Sequence, residues 1–379
     1  MTFFARHDHA LTALQTRGRY RALIARAGHD FASNDYLGLA GSDVLNTAAR
    51  DALDRGVPIG AGGSRLLRGN VDEHVLLERE AAAFFGSQAA LFMGGGFQAN
   101  TAIFSTLPGH EDLVLYDALI HASTHDGMRL GRAETQAFAH NDVTAAECTI
   151  RDWRTAGNTG QIWIAVESLY SMDGDLAPLP DLMMLANAHD AVLIVDEAHA
   201  TGVFGDKGRG LSHAFADREN LLTLHTCGKG LGVSGALICG ATTLIDTLIN
   251  KARGFIFATA PSPLSAAMVR AALTELRDNP ARQLAAQDLM QHAHAEADQH
   301  LGLTGNQSQI MPIIIGADKS TMALAQEMQN RGYDIRGIRP PTVPRGTSRL
   351  RISITLNTTA PVISDMFRDL AQAKEATAT

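Results

Sequence analysis

The chain reads as an α/β protein with a mostly parallel sheet between helices in a large domain, followed by a smaller C-terminal α+β domain. Three observations predict this. Short apolar runs alternate with helical patterns from Val71 to Cys239, the order expected of a parallel sheet covered on both faces. The run A-V-L-I-V at Ala191 to Val195 is apolar without alternation, as a strand buried on both faces must be. Near Phe257 to Pro263 the texture shifts to a long Ala- and Leu-rich helical pattern, and then to a few strands and helices. The 379 residues suffice for a large and a small domain, expected as an N-terminal helix and arm at 1–40, the large domain at 41–261 and the small one at 262–379.

Taken in order, residues 1 to about 28 predict an amphipathic helix carrying Leu11, Leu14 and the basic group Arg17, Arg19, Arg21 and Arg26. Asn34 to Gly38 predicts a turn, and a helix from about Ser42 to Arg55 leads into the Gly-rich run at Gly60 to Gly69, either a flexible loop or a substrate-covering one. A helix to about Phe85 and a strand at Ala89 to Met93 follow, and Gly94-Gly95-Gly96 then opens a helix at Phe97. Glycines before a helix start expose backbone N–H groups and the positive dipole end, which suits a phosphate. Further strands are expected at Asp112 to Tyr116, Thr135 to Phe138, Gln161 to Glu167, Ala191 to Val195, Leu221 to Thr226 and Ala236 to Cys239. One helical pattern from about Ser262 to Leu301 begins the small domain. A strand at Ile310 to Ile315, a helix at about Ser320 to Arg331, strands near Ile335 and at Leu350 to Leu356, and a helix through Lys374 complete it.

Composition excludes several function classes. A formal charge of −8 argues against a nucleic-acid footprint, which needs a concentrated basic surface. No apolar run reaches the roughly 18 residues that a membrane span requires, and the N-terminus lacks the apolar core of a signal peptide. Cys148, Cys227 and Cys239 are odd in number and show no C-x-x-C spacing, which fits a reducing, cytoplasmic location.

The chemistry is expected around Leu221 to Gly240, where Lys229 stands among glycines just past a predicted strand. Glycines let the backbone approach a ligand closely and burial lowers a lysine's pKa, the two requirements of a Schiff-base lysine; the bland alternative is a solvated loop. Upstream, V-D-E-A-H places Asp196 at the C-terminal mouth of a buried strand, where open α/β sheets bind ligands. An acid there can pair with a pyridinium nitrogen, and Asp196 is preferred to Glu197 because it directly follows the strand. Gly230-Leu-Gly232-Val-Ser-Gly235 matches a dinucleotide fingerprint, but that fingerprint requires a helix next and the residues after Gly235 predict a strand.

His121 and His125 are spaced to share a helix face, yet no third ligand follows at a diagnostic spacing, so no metal is expected and His121 is read as a stacking or hydrogen-bonding residue. The pairs His7 with His9 and His292 with His294 lie in polar helical patterns and are expected on the surface. Arg339, on a proline-braced segment, and Arg349 and Arg351, on one face of the adjoining strand, are candidate carboxylate clamps, with surface charge pairs as the alternative.

Seven motifs in order resemble the α-oxoamine synthases, a family of fold-type I pyridoxal 5'-phosphate (PLP)-dependent transferases. They are S-N-D-Y-L-G at Ser33, G-G-S-R at Gly62, F-A-H-N-D-V at Phe138, S-M-D-G-D at Ser171, V-D-E-A-H at Val195, T-C-G-K-G at Thr226 and I-R-P-P-T-V-P at Ile338. The resemblance implies a catalytic set of Lys229, His121, Asp196 and His199. In it Lys229 is the Schiff-base lysine, Asp196 pairs with the pyridine nitrogen, His199 bonds the phenolic oxygen and His121 stacks on the ring. It further implies cofactor contacts from Ser171 and Thr226, a phosphate turn at Gly96 and Phe97, and Thr259 reaching the partner subunit's phosphate across a homodimer interface. Substrate-binding positions would be Arg21, Asn34, Arg339 and Arg351. The strings look most like the family member that condenses L-alanine with a pimeloyl thioester, on coenzyme A or acyl carrier protein, in biotin biosynthesis. A sister enzyme using glycine or serine, and a non-catalytic protein that kept the fold, are the alternatives.

Overall fold

The structure, a computed structural model, describes residues 3–378; positions 1 and 2, the start of the expected N-terminal helix, and position 379 lie outside the described residues. In chain order the elements are α1 (Ala5–Thr16), β1 (His29–Asp30), α2 (Asp43–Asp54), α3 (Asp72–Phe85), β2 (Ala89–Met93), α4 (Gly96–Thr106), β3 (Leu113–Asp117), α5 (Ala122–Leu130) and β4 (Glu134–Phe138). Then come α6 (Val143–Thr155), β5 (Ile162–Glu167), α7 (Leu179–Ala188), β6 (Val192–Asp196), β7 (Leu221–Thr226), β8 (Ala236–Gly240), α8 (Thr242–Lys251), α9 (Arg253–Ile256) and α10 (Pro263–Asp278). The remainder is α11 (Pro280–Leu301), β9 (Ile310–Gly316), α12 (Asp318–Asn330), β10 (Tyr333–Asp334), β11 (Arg336–Ile338), β12 (Ser348–Ser353) and α13 (Ala360–Ala378).

Two compact units result. The first comprises residues 37–171 and 176–284; the second holds the other described residues, including 172–175.

The first unit is built on a seven-stranded sheet in the order β2-β8-β7-β6-β5-β3-β4. Its strands are parallel from β7 through β4, whereas β8 runs antiparallel to both β7 and β2. Strand β6 shows why the central run had to be wholly apolar: Leu193 and Val195 pack into one cluster with α6 and α7, while Ile194 packs into the other with α4. Each such buried aliphatic side chain contributes roughly 1.5–3 kcal/mol relative to exposure. Helix starts are capped locally: Ser42 accepts from the Leu45 amide at 3.3 Å, Asp142 from the Ala145 amide at 2.8 Å and Ser262 from the Ser265 amide at 3.3 Å.

The Gly-rich run is tied down rather than loose. Arg65 makes a two-pronged bridge to Glu78, 2.8 Å on each arm, and the Ala260 amide donates to Gly63 O at 2.9 Å.

The second unit holds an antiparallel sheet, β11-β12-β9, and a short parallel pair of β1 with β10. Its core joins Phe31, Met311, Ile313, Leu350, Ile352 and Phe367 with residues of α12 and α13.

Three local expectations need correction. The helix predicted over residues 1–28 stops at Thr16, because Gly18 takes a left-handed φ of 66° and the amides of Gly18 and Arg19 turn back to Gln15 O and Leu14 O. The single helix predicted over 262–301 is two: Asn279 leaves helical geometry ahead of Pro280, which cannot donate and restricts the residue before it. His292 and His294, expected on the surface, are half-buried, and their Nε2 atoms bond Ser364 Oγ at 2.9 Å and Ser308 O at 2.8 Å.

Candidate functional site

Parallel strands β5, β6 and β7 end side by side in the first unit, and the polar residues just past their apolar runs collect there. Strand β6 ends in Asp196, which is buried. Its Oδ1 accepts from the Ala198 amide at 2.9 Å and its Oδ2 from Asn100 Nδ2 at 2.8 Å, so both oxygens are held in place. Glu197 serves a different purpose. Its oxygens accept from Ser168 Oγ at 2.6 Å, the Ser212 amide at 2.6 Å and the Leu211 amide at 3.1 Å, which tethers the 211–212 segment.

Beyond β7 the chain makes a tight loop in which the Cys227 amide donates to Gly235 O at 2.9 Å and the Val233 amide to Cys227 O at 2.8 Å. Two glycines in it have no substitute. A Cβ on Gly230 would lie 2.3 Å from Thr201 O, and Gly235 has a φ of +105° with its Cβ position 2.4 Å from the Phe92 ring. The loop carries Lys229 half-buried, with Nζ 2.7 Å from Nε2 of the buried His199. Since the lysine donates, His199 accepts at Nε2. Cys227 is buried, and burial raises its thiol pKa, which leaves it unreactive. Gly235 is followed by β8, a strand, so the dinucleotide fingerprint is not realised.

His121 is the N-cap of α5, not a helical partner of His125; His125 packs edge-on against Tyr116. The His121 ring is pulled below its ordinary pKa, chiefly by burial and further by the Lys229 charge, against an opposing pull from Asp196. At neutral pH it is uncharged.

Helix α4 begins at Gly96, whose hypothetical Cβ would lie 3.5 Å from Thr226 Oγ1 at the end of β7. The helix start, with its free amides, and a hydroxyl thus meet in one place. Phe97 is 55% exposed and Thr259 is exposed, so both face outward in the single chain. Ser171 is buried, and its amide donates to Glu167 Oε2 at 3.0 Å.

The four expected substrate-binding residues belong to the second unit. Arg21 Nη2 donates to Thr342 Oγ1 at 3.2 Å, and Arg339 donates to Tyr20 O at 2.6 Å. These two guanidinium groups are neighbours: burial first, and then the Arg21 charge, lower the pKa of Arg339. Asn34 Oδ1 accepts from Tyr36 Oη at 3.1 Å, and Arg351 Nη1 donates to Ser353 Oγ at 2.7 Å. Arg349, on the same face of β12, is engaged with Asp173 at 2.5 Å.

Asn100, Ser123 and Glu167 escaped the sequence reading. Glu167 was the most detectable of them, since it ends the strand next to β6 as Asp196 ends β6 itself. Asn100 stands out only as a lone amide among the apolar residues of α4.

Residues 28–363 match the family described as aminotransferase class I and II. An 8-amino-7-oxononanoate synthase from Geobacter sulfurreducens is 38% identical over 362 residues, covering 91% of each chain. Among solved structures, an 8-amino-7-oxononanoate synthase from Francisella tularensis superposes with a TM-score of 0.77 at 26% identity, covering 93% of this chain and 99% of that one. A high-resolution structure of SPT, a serine palmitoyltransferase, with PLP gives a TM-score of 0.89 at 24% identity over 100% of both chains, a likeness of fold.

Proposed function

The chain belongs to the 8-amino-7-oxononanoate synthases, within the aminotransferase class I and II family, and on that premise we propose that it condenses L-alanine with a pimeloyl thioester. The products are 8-amino-7-oxononanoate, carbon dioxide and the free thiol, and the reaction serves biotin biosynthesis. Its cofactor is PLP, which when bound supplies an electron sink that stabilises negative charge at the carbon next to the substrate amine.

The observation that carries this reading is the placement of Lys229 Nζ 2.7 Å from His199 Nε2, on a loop with two positions that only glycine can fill, beside the strand that ends in Asp196. These residues fit the cofactor's chemistry: a primary amine for its aldehyde, a buried carboxylate for its ring nitrogen, and a helix start with a hydroxyl for its phosphate. Asp196 would hold the ring nitrogen, His199 the phenolic oxygen, His121 one face of the ring, and Thr226, Gly96 and Phe97 the phosphate, with Ser171 near the cofactor. Thr259 reaches the phosphate of the other subunit in a homodimer.

Lys229 Nζ serves as the base that removes the alanine Cα proton and later returns one. His199 Nε2 lies 2.7 Å from that amine and helps to place it. The uncharged His121 lets the ring sit in the site without a second cation beside Lys229.

Arg21, Asn34, Arg339 and Arg351 hold the carboxylates of the substrates. In the second unit Arg17, Arg19, Arg21 and Arg345 line an open cavity of about 640 Å³ together with Leu11 and Leu14, a basic and apolar surface suited to an anionic acyl carrier. Among the described residues no helix is long and apolar enough to cross a membrane.

A competition assay tests the reading: PLP-loaded protein, pimeloyl-CoA and equal alanine, glycine and serine, with products identified by mass spectrometry. A dominant product with the mass of 8-amino-7-oxononanoate is expected. A glycine or serine product would reassign the amino acid, and no condensation product with any of them would overturn the proposal.

A further inference from the structure

Asn100 is 2% exposed, on a helix that otherwise gives Ala99, Ala102, Ile103 and Phe104 to the core. A buried amide is costly unless its hydrogens are used, and here both are. One Nδ2 proton goes to Asp196 Oδ2 at 2.8 Å and the other to Ser123 Oγ at 3.0 Å. The amide cannot be turned over, because its oxygen would then meet a carboxylate.

The second bond has a consequence one residue further on. Ser123 Oγ accepts from Asn100, so its single proton is available to His121 Nδ1, 2.7 Å away. The Ser123 amide donates to the same nitrogen at 3.2 Å. Two donors converge on Nδ1, which therefore carries no proton. The uncharged ring must keep its hydrogen on Nε2.

We propose that Asn100 is a positioning residue for the reaction: one side-chain amide orients the carboxylate of Asp196 and, through the Ser123 hydroxyl, holds His121 as the Nε2–H tautomer. The inference deepens the functional reading above and rests on it for the role of Asp196. It explains why a polar residue is kept on an apolar helix face, and it makes the acid and the ring two ends of one hydrogen-bonded chain, Asp196–Asn100–Ser123–His121. Neither proton of the amide is left over, and the Ser123 hydroxyl accepts from Asn100 and donates to His121.

The test compares Asn100→Leu, Asn100→Asp, Ser123→Ala and Asp196→Asn with the wild type. PLP retention is measured by equilibrium dialysis of the holoenzyme. The His121 tautomer is read from imidazole ¹⁵N shifts, assigned with His121→Gln, in holoenzyme and in cofactor-stripped protein. Asn100→Leu should weaken PLP retention about tenfold or more, the loss of a hydrogen bond to a charged group, and should populate the Nδ1–H tautomer. Ser123→Ala should alter the tautomer while leaving PLP retention close to wild type.

Asn100→Asp preserves the shape of the side chain and is the variant to read if Asn100→Leu does not fold. A carboxyl at that position has at most one proton and cannot serve both partners, so the same losses are expected. PLP retention unchanged in the Asn100 variants but lost in Asp196→Asn would overturn the inference and leave the role of Asp196 standing. Retention unchanged in Asp196→Asn would overturn that role instead, and the tautomer measurement without cofactor then decides the Asn100–Ser123–His121 arm alone. Unaltered His121 shifts in both Asn100→Leu and Ser123→Ala would refute that arm.

Discussion

Glu167 and Asp196 are in-register partners at the ends of neighbouring parallel strands, and both are buried. Burial pushes the Glu167 carboxyl up to about 8, the Asp196 charge adds to the rise and the Lys229 charge opposes it. Glu167 is therefore mostly the uncharged acid at neutral pH. Its pKa in the folded chain lies above the ordinary 4.5, so the folded chain retains a proton that the unfolded chain releases between those values. The stability this contributes is complete below about 4.5 and is lost as pH rises through about 8. Glu167→Gln cannot ionise, so its stability relative to the wild type should climb as pH rises from about 5 to 8. Denaturant unfolding across that range measures it, and a difference that does not change with pH would contradict the assignment.

Lys229→Ala should fold normally, because the loop's shape depends on backbone bonds and glycines, not on the lysine side chain. It should lose the visible cofactor band and about 10²–10⁴-fold in turnover, the range for removal of a positioned base. Absorption spectra and steady-state rates of condensation check this, and an activity near wild type would exclude Lys229 as the reacting amine.

Asp196→Ala should leave a folded protein with little turnover, since an unpaired, neutral pyridine is a poor electron sink. Size-exclusion chromatography and the alanine-dependent rate measure the two halves of that statement. Near-wild-type activity refutes the proposed role.

Gly235→Ala should destabilise the chain by about 1–3 kcal/mol, because a Cβ there adds left-handed strain and contact with a packed ring. The φ of +105° and the 2.4 Å approach to Phe92 are the observations behind it. Chemical denaturation measures the loss, and a variant as stable as the wild type would show that the loop can rearrange without cost.

Much of this was legible in local patterns. An apolar run that does not alternate and then ends in an acid marks β6 and Asp196; a strand followed by closely spaced glycines marks the loop of Lys229. The same locality misled where a continuing pattern outweighed one residue. Gly18 stops α1 although basic and apolar residues run on past it, and Pro280 divides a helical pattern whose Ala and Leu spacing continues on both sides.

The pairings of Asn100, Ser123 and Glu167 were illegible for a different reason, although Glu167 itself ends an expected strand. Asn100 is separated from Asp196 by 96 positions and from Ser123 by 23, and nothing in either neighbourhood of sequence names the other. Local spacing is enough to specify elements, their order and the residues that end them, because hydrophobic periodicity and turn chemistry act over a few positions. Which donor meets which acceptor, which of two adjacent carboxyls keeps its proton and which nitrogen of His121 carries its hydrogen depend on distances across the sheet. Those distances exist only once β5, β6 and β7 have paired and α4 has packed against them.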